Sequence, residues 1–230
     1  MLIKKWEQLP EIMKTDEVRK YYDVLCRKNI QLFFKRFFDI VLSLFFIVLF
    51  SPVFVVLAII IKIDSPGPVF FRQERVTQYG RMFRIFKFRT MVKDAEKLGA
   101  LITANGDSRV TSVGRALRKY RLDEFPQVIN VFLGQMTFVG SRPEVPKYVN
   151  RYTSEMWATL LLPSGITSKA SILYKDEEKY ITQTENTDET YMNIVLPEKM
   201  KYNYEALMDF GFWEDIKIMF ATVAAVFGDR

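Results

Sequence analysis

The sequence predicts a mostly helical α+β fold, in which a small cytosolic domain with a short β-hairpin is mounted on a re-entrant membrane helix and on interfacial amphipathic helices. Three observations lead to this class. Residues 37–61 form a long apolar run, residues 69–91 hold two short runs rich in Arg and Phe around a Tyr-Gly turn, and much of the remainder is helix-forming. We expect an interfacial helical segment over 1–36, a membrane segment over 37–61, and a cytosolic domain over 62–230.

The apolar run at 37–61 contains only Asp39, Ser43, Ser51 and Pro52 outside the apolar set. It is long enough to cross a bilayer, which takes about 20 helical residues. However, Pro52 lies near its middle and lacks an N–H, so we expect the helix to break at Ser51–Pro52, with the Ser51 hydroxyl bonding a freed carbonyl. Both flanks are basic, which disfavours crossing. We therefore expect a helix that returns to the face it entered; a proline-kinked spanning helix remains the alternative.

The carboxylate of Asp39 lies close to the start of this run. Arg36 and Lys35 precede it by three and four residues, which are the spacings of neighbours on a helix surface. We expect an interfacial ion pair with a structural role.

The elements outside the membrane segment follow from local signals. Residues 1–36 indicate a helix on the surface of the membrane or of the domain, and a breaker at 65–68 precedes a hairpin whose turn lies at Tyr79–Gly80. Helices are expected over 92–101, 113–121 and 127–133, with a turn at 105–107 and a loop over 134–143. The pattern at 144–162 is helical, and the tail FWEDIKIMFATVAAVF indicates an amphipathic helix.

Composition limits the chemistry. The chain has no histidine and one cysteine, Cys26, which excludes Ser-His-Asp and Cys-His catalysis and any multi-cysteine metal site. Catalysis would have to use carboxylates, Lys, Tyr, hydroxyls or a metal held by oxygen. The net charge of +6 favours an anionic partner such as phosphate or lipid. Nucleic acid is not expected, because no recognised nucleic-acid motif is present.

Two adjacent carboxylates, Asp123 and Glu124, follow a cationic stretch and precede Pro126. Such pairs are most often solvated charges at a helix start. A pair held beside free backbone N–H groups can instead bind Mg²⁺ with one carboxylate while the other attacks phosphorus. Asp123 and Glu124 are therefore the candidate catalytic and metal-binding residues.

Cations supply the complement to a phosphate substrate. Lys87 and Arg89 alternate on one predicted strand, and Arg142 lies in the loop Gly-Ser-Arg-Pro. Guanidinium groups match phosphate oxygens with two parallel hydrogen bonds, so these residues could clamp a diphosphate. Each also suits a surface cation or a lipid headgroup contact. Arg118 and Gln127, on either side of the carboxylates, complete the candidate phosphate-binding set.

Several separate motifs occur in one order. They are KRFFDIVLSLFFIVLFSPVFVVLAIIIKIDSPGPVFFRQERV, FRIFKFRTM, DSRVTSVGRALRKYRLDEFPQVINVFLGQMTFVGSRPE and PSGIT. This order resembles the bacterial sugar transferases that begin polysaccharide and glycoprotein glycan assembly, the monotopic phosphoglycosyl transferases. The resemblance runs from about residue 34 to residue 170.

The resemblance implies an activity and a location. A sugar 1-phosphate would pass from a UDP-sugar to undecaprenyl phosphate with release of UMP, and Mg²⁺ would be the cofactor. The catalytic domain would lie on the cytoplasmic face of the bacterial inner membrane, in contact with membrane lipids. It also implies that Asp123 is a nucleophile forming a covalent phosphosugar intermediate, that Glu124 helps to hold the metal, that Arg142 contacts phosphate, and that Ser51–Pro52 breaks a re-entrant helix. A homodimer is left open. The competing hypothesis is a non-catalytic membrane protein that binds polyanions.

The chain departs from the family pattern at three places. Ser141 replaces the usual proline before the arginine, Thr77–Gln78 replaces a glycine-containing turn, and Ser164 lengthens the usual Pro-Gly. We expect these positions to bear on sugar identity, which the sequence does not predict. The lack of an added multi-spanning domain suggests a minimal catalytic form.

Overall fold

The computed structural model describes residues 3–95, 107–173 and 187–227, and its architecture is mostly helical with short strands, as predicted. The helices are α1 Asp16–Cys26, α2 Asn29–Asp64, α3 Ser112–Lys119, α4 Gln127–Phe132, α5 Pro146–Val149, α6 Lys169–Leu173, α7 Thr187–Thr190, α8 Leu196–Met208 and α9 Phe212–Phe227. Short 3₁₀ turns cover Trp6–Gln8, Glu11–Met13, Gln78–Gly80, Leu122–Glu124 and Glu155–Leu161, and a π-helical turn covers Tyr191–Val195.

The predicted β-hairpin is confirmed. Strands β2 Glu74–Val76 and β3 Met82–Arg84 pair antiparallel, and β1 Phe70–Phe71 pairs with β4 Lys87–Phe88 further from the turn. Tyr79 and Gly80 in the turn both have positive φ, 59° and 73°, which is the conformation that tight hairpin connections require.

A second strand pair was not predicted. Strand β5 Met136–Val139 lies within the residues expected to form a loop, and it pairs in parallel with β6 Ser164–Thr167. The loop prediction over 134–143 is therefore wrong for its middle residues. The helical prediction over 144–162 holds only for α5 and the 3₁₀ turn at Glu155–Leu161. Most of the predicted helix at 92–101 and turn at 105–107 falls outside the described residues.

The apolar run belongs to α2, and helical structure continues through Ser51 and Pro52. Ser51 and Pro52 therefore do not end the helix, and the predicted return of the chain to the face it entered stays a prediction. The hydroxyl of Ser51 donates to the carbonyl of Val48 at 2.8 Å. In a helix this carbonyl would accept from the N–H of residue 52, which Pro52 lacks. The Ser51 hydroxyl supplies the missing hydrogen bond, so the predicted compensation by Ser51 is confirmed and explains how the helix tolerates its proline. In the described part of the chain, α2 alone is long and apolar enough to cross a membrane.

One face of α2 packs on the rest of the molecule. Aromatic pairs join Phe46 to Phe138, Phe50 to Phe125 and Phe54 to Phe88, with ring centroids 6.1, 5.3 and 5.6 Å apart. The opposite face leaves large apolar side chains exposed, among them Phe33, Phe37, Val41, Leu44, Phe45, Val48, Val55, Val56, Ile59 and Ile63. An exposed apolar surface of this extent is typical of a face that contacts lipid or another protein.

The predicted ion pair at Asp39 is wrong. Asp39 is buried and accepts hydrogen bonds from the Thr137 hydroxyl at 2.8 Å and the Phe138 N–H at 3.2 Å. Lys35 donates to Asp215 on α9 at 2.5 Å, and Arg36 donates to the carbonyls of the last two residues of α4, Val131 and Phe132. These contacts fasten the start of α2 to β5 and α9, so the role of Asp39 is structural, as expected.

The N-terminal residues contribute to the core of the domain. Val18, Tyr21 and Leu25 of α1 are buried in one apolar cluster with Leu160 and Leu161. Residues 3–36 of this segment therefore lie on the domain, which is one of the two surfaces considered for it, and the last of them already belong to α2.

Candidate active site

Asp123 and Glu124 lie in the 3₁₀ turn that joins α3 to α4. Helix α3 ends at Lys119, and Arg121 then adopts a left-handed conformation with φ of 56°. A non-glycine residue in this region costs about 1–2 kcal/mol. Pro126 caps α4 directly afterwards. The strained reversal and the proline place both carboxylates at the start of α4, close to the position predicted for them.

Glu124 is clamped by two cations. One of its oxygens, Oε1, accepts from Lys87 Nζ at 2.8 Å and from Arg142 Nη2 at 2.9 Å. Burial opposes ionisation of this carboxyl, but the charges of Arg142 and Lys87 outweigh it and hold the pKa of Glu124 well below its ordinary value. Three predicted site residues, distant in sequence, are thus brought together.

Asp123 is in a different electrostatic position. Burial raises its pKa, and the charge of Glu124 raises it further, while Lys87 and Arg118 act in the opposite direction. No ion pair to Asp123 occurs among residues 3–95, 107–173 and 187–227. The pair therefore consists of one carboxylate fixed by cations and one that remains available for chemistry.

Arg118 lies near Asp123 and is held by Thr90, which follows strand β4 of the hairpin. Its Nε donates to the Thr90 hydroxyl at 2.9 Å. Helix α3 can approach Thr90 this closely because it has Gly114 at the contact, where a Cβ atom would lie 2.0 Å from the Thr90 carbonyl oxygen. Arg118 is thus close enough for its charge to act on Asp123, and its phosphate-binding role stays a prediction.

Arg89 does not join this site. Its guanidinium is buried and donates to the carbonyls of Ile61, Ser65 and Pro66, which lie at the C-terminal end of α2. Strand β4 ends at Phe88, so Arg89 no longer shares the strand face of Lys87. The structure gives it a helix-capping contact instead of the predicted phosphate contact.

Gln127 is 2% exposed, on the first turn of α4. Its Nε2 has no hydrogen-bond partner in the part of the chain that the structure describes. Because its side chain is buried, Gln127 does not form part of an open phosphate-binding surface.

Arg75 was missed by sequence reasoning. Its guanidinium is held by the side-chain oxygen of Gln73 at 2.6 and 3.1 Å, and its Nη1 donates to the Pro143 carbonyl at 3.0 Å. It thereby fixes the loop that carries Arg142. An arginine inside a strand flanked by residues of mixed polarity gives no sequence signal for this role.

The loop of Arg142 is also fixed by close backbone packing. A Cβ at Gly165 would lie 2.2 Å from the Gly140 nitrogen and 2.4 Å from its oxygen. The Gly165 N–H donates to the Ser141 carbonyl at 2.8 Å. Strand β6 therefore sets the position of the residue that precedes Arg142.

Residues 30–229 of the chain match the family model described as bacterial sugar transferase. The chain belongs to this family. It is 36% identical over 205 residues to the UDP-N-acetylgalactosamine-undecaprenyl-phosphate N-acetylgalactosaminephosphotransferase of Aeromonas hydrophila. The aligned region covers 86% of this chain and 45% of that protein. It is 36% identical over 193 residues to the UDP-glucose:undecaprenyl-phosphate glucose-1-phosphate transferase of Escherichia coli (strain K12), covering 82% of this chain and 39% of that one.

A relative of more similar length is a UDP-glucose:undecaprenyl-phosphate glucose-1-phosphate transferase of Caulobacter vibrioides. It is 31% identical over 195 residues, covering 84% of this chain and 69% of that protein. The chain spans less than half the length of the Aeromonas and Escherichia relatives.

Among the places where this sugar transferase departs from the family pattern, two contact each other. The Ser164 N–H donates to the Thr77 hydroxyl at 3.2 Å, and the Thr77 hydroxyl donates to the Gln135 carbonyl at 2.7 Å. Gln78 donates to the Leu161 carbonyl at 3.0 Å. These contacts are internal and join the hairpin turn to β6. Ser141, in contrast, lines a cleft beside Arg142.

The donor set fits a divalent cation bound together with its substrate. No group of three acidic, His or Cys side chains suited to a metal is found among the described residues. Mg²⁺ is commonly held by one or two carboxylates plus substrate phosphates and water. Asp123 and the second oxygen of Glu124 provide such carboxylates on one turn.

Proposed function

We propose that this bacterial sugar transferase transfers a sugar 1-phosphate from a UDP-sugar to undecaprenyl phosphate, releasing UMP. The observation that carries the proposal is the carboxylate pair, in which Glu124 is fixed by Lys87 and Arg142 while Asp123 has no cation paired with it in the described residues. Such a pair suits nucleophilic attack on a phosphate that the neighbouring cations hold.

In the proposed mechanism, an oxygen of Asp123 attacks the phosphorus that carries the sugar. The new Asp123 O–P bond forms as the bond from phosphorus to the UMP oxygen breaks, and UMP leaves with that electron pair. An oxygen of the polyprenyl phosphate then attacks the same phosphorus and releases the Asp123 carboxylate. Lys87, Arg142 and Arg118 supply positive charge around the reacting phosphate. Glu124 holds two of these cations in place.

Mg²⁺ would be held by Glu124 and Asp123, together with the diphosphate. Its chemistry there would be to neutralise the charge that develops on the phosphate oxygens. The positive charges of Lys87 and Arg142 already balance the negative charge of Glu124. A divalent cation would therefore offset the negative charge of the substrate diphosphate.

Contacts along α2 support a re-entrant placement of this helix. Near its start Lys35 donates to the Val139 carbonyl at 2.7 Å, and at its end Asp64 accepts from the Val113 N–H at 3.2 Å. Because both ends contact the same domain, we propose that they lie on one membrane face. Because a nucleotide-sugar substrate would arrive from the cytosol, we propose that this face is the cytoplasmic side of the inner membrane.

The contact between Phe50 and Phe125 supports a site at the membrane surface. Phe50 belongs to the apolar helix, and Phe125 follows the carboxylate pair directly. A lipid phosphate could then approach Asp123 without leaving the bilayer, while the nucleotide sugar arrives from water.

The experiment that tests the function is UMP release by purified protein in detergent. A panel of UDP-glucose, UDP-galactose and their N-acetylamino counterparts is supplied with undecaprenyl phosphate and Mg²⁺. The proposal expects release with at least one sugar and none from Asp123→Asn. Polyanion binding without UMP release from any UDP-sugar would favour the non-catalytic alternative.

A further inference from the structure

Glu144, two residues after Arg142, carries a buried carboxylate that the proposed mechanism does not use. It is 9% exposed, and its Oε1 accepts from the Tyr191 hydroxyl at 2.5 Å and lies 4.0 Å from Lys199 Nζ. Tyr191 and Lys199 are each 7% exposed, and Lys199 also donates to the Tyr191 hydroxyl at 3.4 Å. A buried carboxylate is costly unless donors and positive charge surround it. These three residues therefore form one buried polar group, the Glu144 network.

The partners of Glu144 come from a separate part of the fold. Tyr191 begins the π-helical turn Tyr191–Val195, and Lys199 lies in the first turn of α8, which follows directly. Helical turns of the π type are rare and often occur at functional sites. The network therefore fastens the start of α8 to the residue two positions after Arg142.

The chain between Arg142 and Glu144 has little conformational freedom. The ring of Pro143 fixes its own φ, and the Pro143 carbonyl accepts from Arg75 at 3.0 Å. The Glu144 carbonyl accepts from the Val76 N–H at 2.9 Å. A displacement of Glu144 would therefore reach Arg142 through a single, restricted residue.

Glu144 also offsets a repulsion between two guanidinium groups. Burial lowers the pKa of Arg75, the charge of Glu144 raises it, and the charge of Arg142 lowers it again. Arg75 and Arg142 are thus close enough to repel each other, and the Glu144 carboxylate attracts both. A carboxylate that the Tyr191 hydroxyl holds in place can keep Arg142 at its 2.9 Å contact with Glu124.

We propose that Glu144 and Tyr191 are positioning residues, which hold the Arg142 guanidinium in the orientation that binds the substrate phosphate. This inference rests on the proposed transferase function. Neither residue contacts substrate in this account, and both act through Arg142. Their effect on turnover is expected because a small misplacement of a substrate-binding side chain lowers the rate of an enzyme.

Tyr191→Phe tests the proposal, because it removes the hydroxyl that Glu144 accepts from and keeps the aromatic ring. Tyr148→Phe is the matched control. Tyr148 is also 7% exposed, its ring centroid lies 4.7 Å from that of Tyr191, and its hydroxyl donates to Asp188 at 2.8 Å. Because the Asp188 side chain is 41% exposed, this second hydrogen bond lies near the surface.

Each tyrosine substitution is made in the wild-type protein and in Arg142→Lys. For every variant, kcat/KM is measured for a UDP-sugar that the wild type uses, and the unfolding temperature is measured to show that the protein is folded in the assay. A lysine ammonium binds phosphate as a point charge, so it depends less on orientation than the planar fork of arginine does.

Tyr191→Phe should lower kcat/KM by about threefold to tenfold in the wild-type background and by less than about twofold in Arg142→Lys. Tyr148→Phe should stay within about twofold of its parent in both backgrounds. A residue with a merely structural role would give equal fold losses in the two backgrounds, which would overturn the proposal. Wild-type kcat/KM in Tyr191→Phe, or an equal loss in Tyr148→Phe, would also overturn it.

The failure of the proposed function is separately recognisable. A wild-type protein that releases no UMP from any UDP-sugar overturns both the function and the positioning role. Wild-type turnover together with equal losses from Tyr191→Phe in the two backgrounds overturns the positioning role alone.

Discussion

Replacing Arg142 with lysine tests the clamp on Glu124 and on the substrate phosphate together. Arg142 Nη2 donates to Glu124 at 2.9 Å, and its side chain is 30% exposed. A lysine keeps the charge, but its ammonium cannot donate two parallel hydrogen bonds from a planar fork. Hydrogen bonds to charged groups contribute about 1.5–3 kcal/mol. At about 1.4 kcal/mol for each factor of ten, the loss in kcat/KM should be about 10- to 100-fold.

The assay is UMP release at saturating undecaprenyl phosphate with varied UDP-sugar. Arg151→Lys is the matched control, because Arg151 has a side chain 43% exposed and pairs with Glu189 at 3.2 Å. Exposed ion pairs contribute about 0–1 kcal/mol, so the control should keep wild-type kcat/KM and the same membrane association. Wild-type turnover in Arg142→Lys would refute the phosphate-binding role and leave Arg142 as a structural partner of Glu124.

Further predictions concern packing, topology and the metal. Gly165→Ala would bring a Cβ to within 2.2 Å of the facing backbone, so it should lose about 1–3 kcal/mol of stability or more and lower the unfolding temperature. Gly211→Ala, with its nearest contact at 3.5 Å, should stay close to wild type; equal effects would refute the packing argument. Cysteines replacing the exposed Lys5 and Lys93 in a Cys26→Ser background should both resist an impermeant thiol reagent in intact cells and react after permeabilisation, whereas labelling of one alone in intact cells would indicate a spanning helix. Exhaustive chelation should abolish UMP release and added Mg²⁺ restore it; full activity after chelation would exclude the metal.

The sequence-based predictions succeeded where the signal was local. The hairpin, α3, α4 and α9 follow from alternation, capping residues and amphipathic spacing within a few residues. The carboxylate pair was found because two acidic residues follow a run of cations, and the structure brings Lys87 and Arg142 to Glu124.

Errors arose where the outcome depended on distant partners. All four residues of β5 are buried, so the strand shows no alternation, and its parallel partner β6 is remote in sequence. Arg89 follows the last residue of β4, and its guanidinium turns to α2 instead of sharing the face of Lys87.

The most direct test of the account is the state of Asp123 after incubation with UDP-sugar and Mg²⁺ in the absence of lipid phosphate. The protein is incubated with UDP-sugar labelled in the sugar, quenched rapidly in acid, and digested for mass spectrometry. The account predicts release of about one UMP per protein and a labelled sugar phosphate on the peptide that carries Asp123, with neither in Asp123→Asn. UMP release that begins only when undecaprenyl phosphate is added, with no trapped adduct and with intersecting initial-rate lines, would contradict the covalent intermediate.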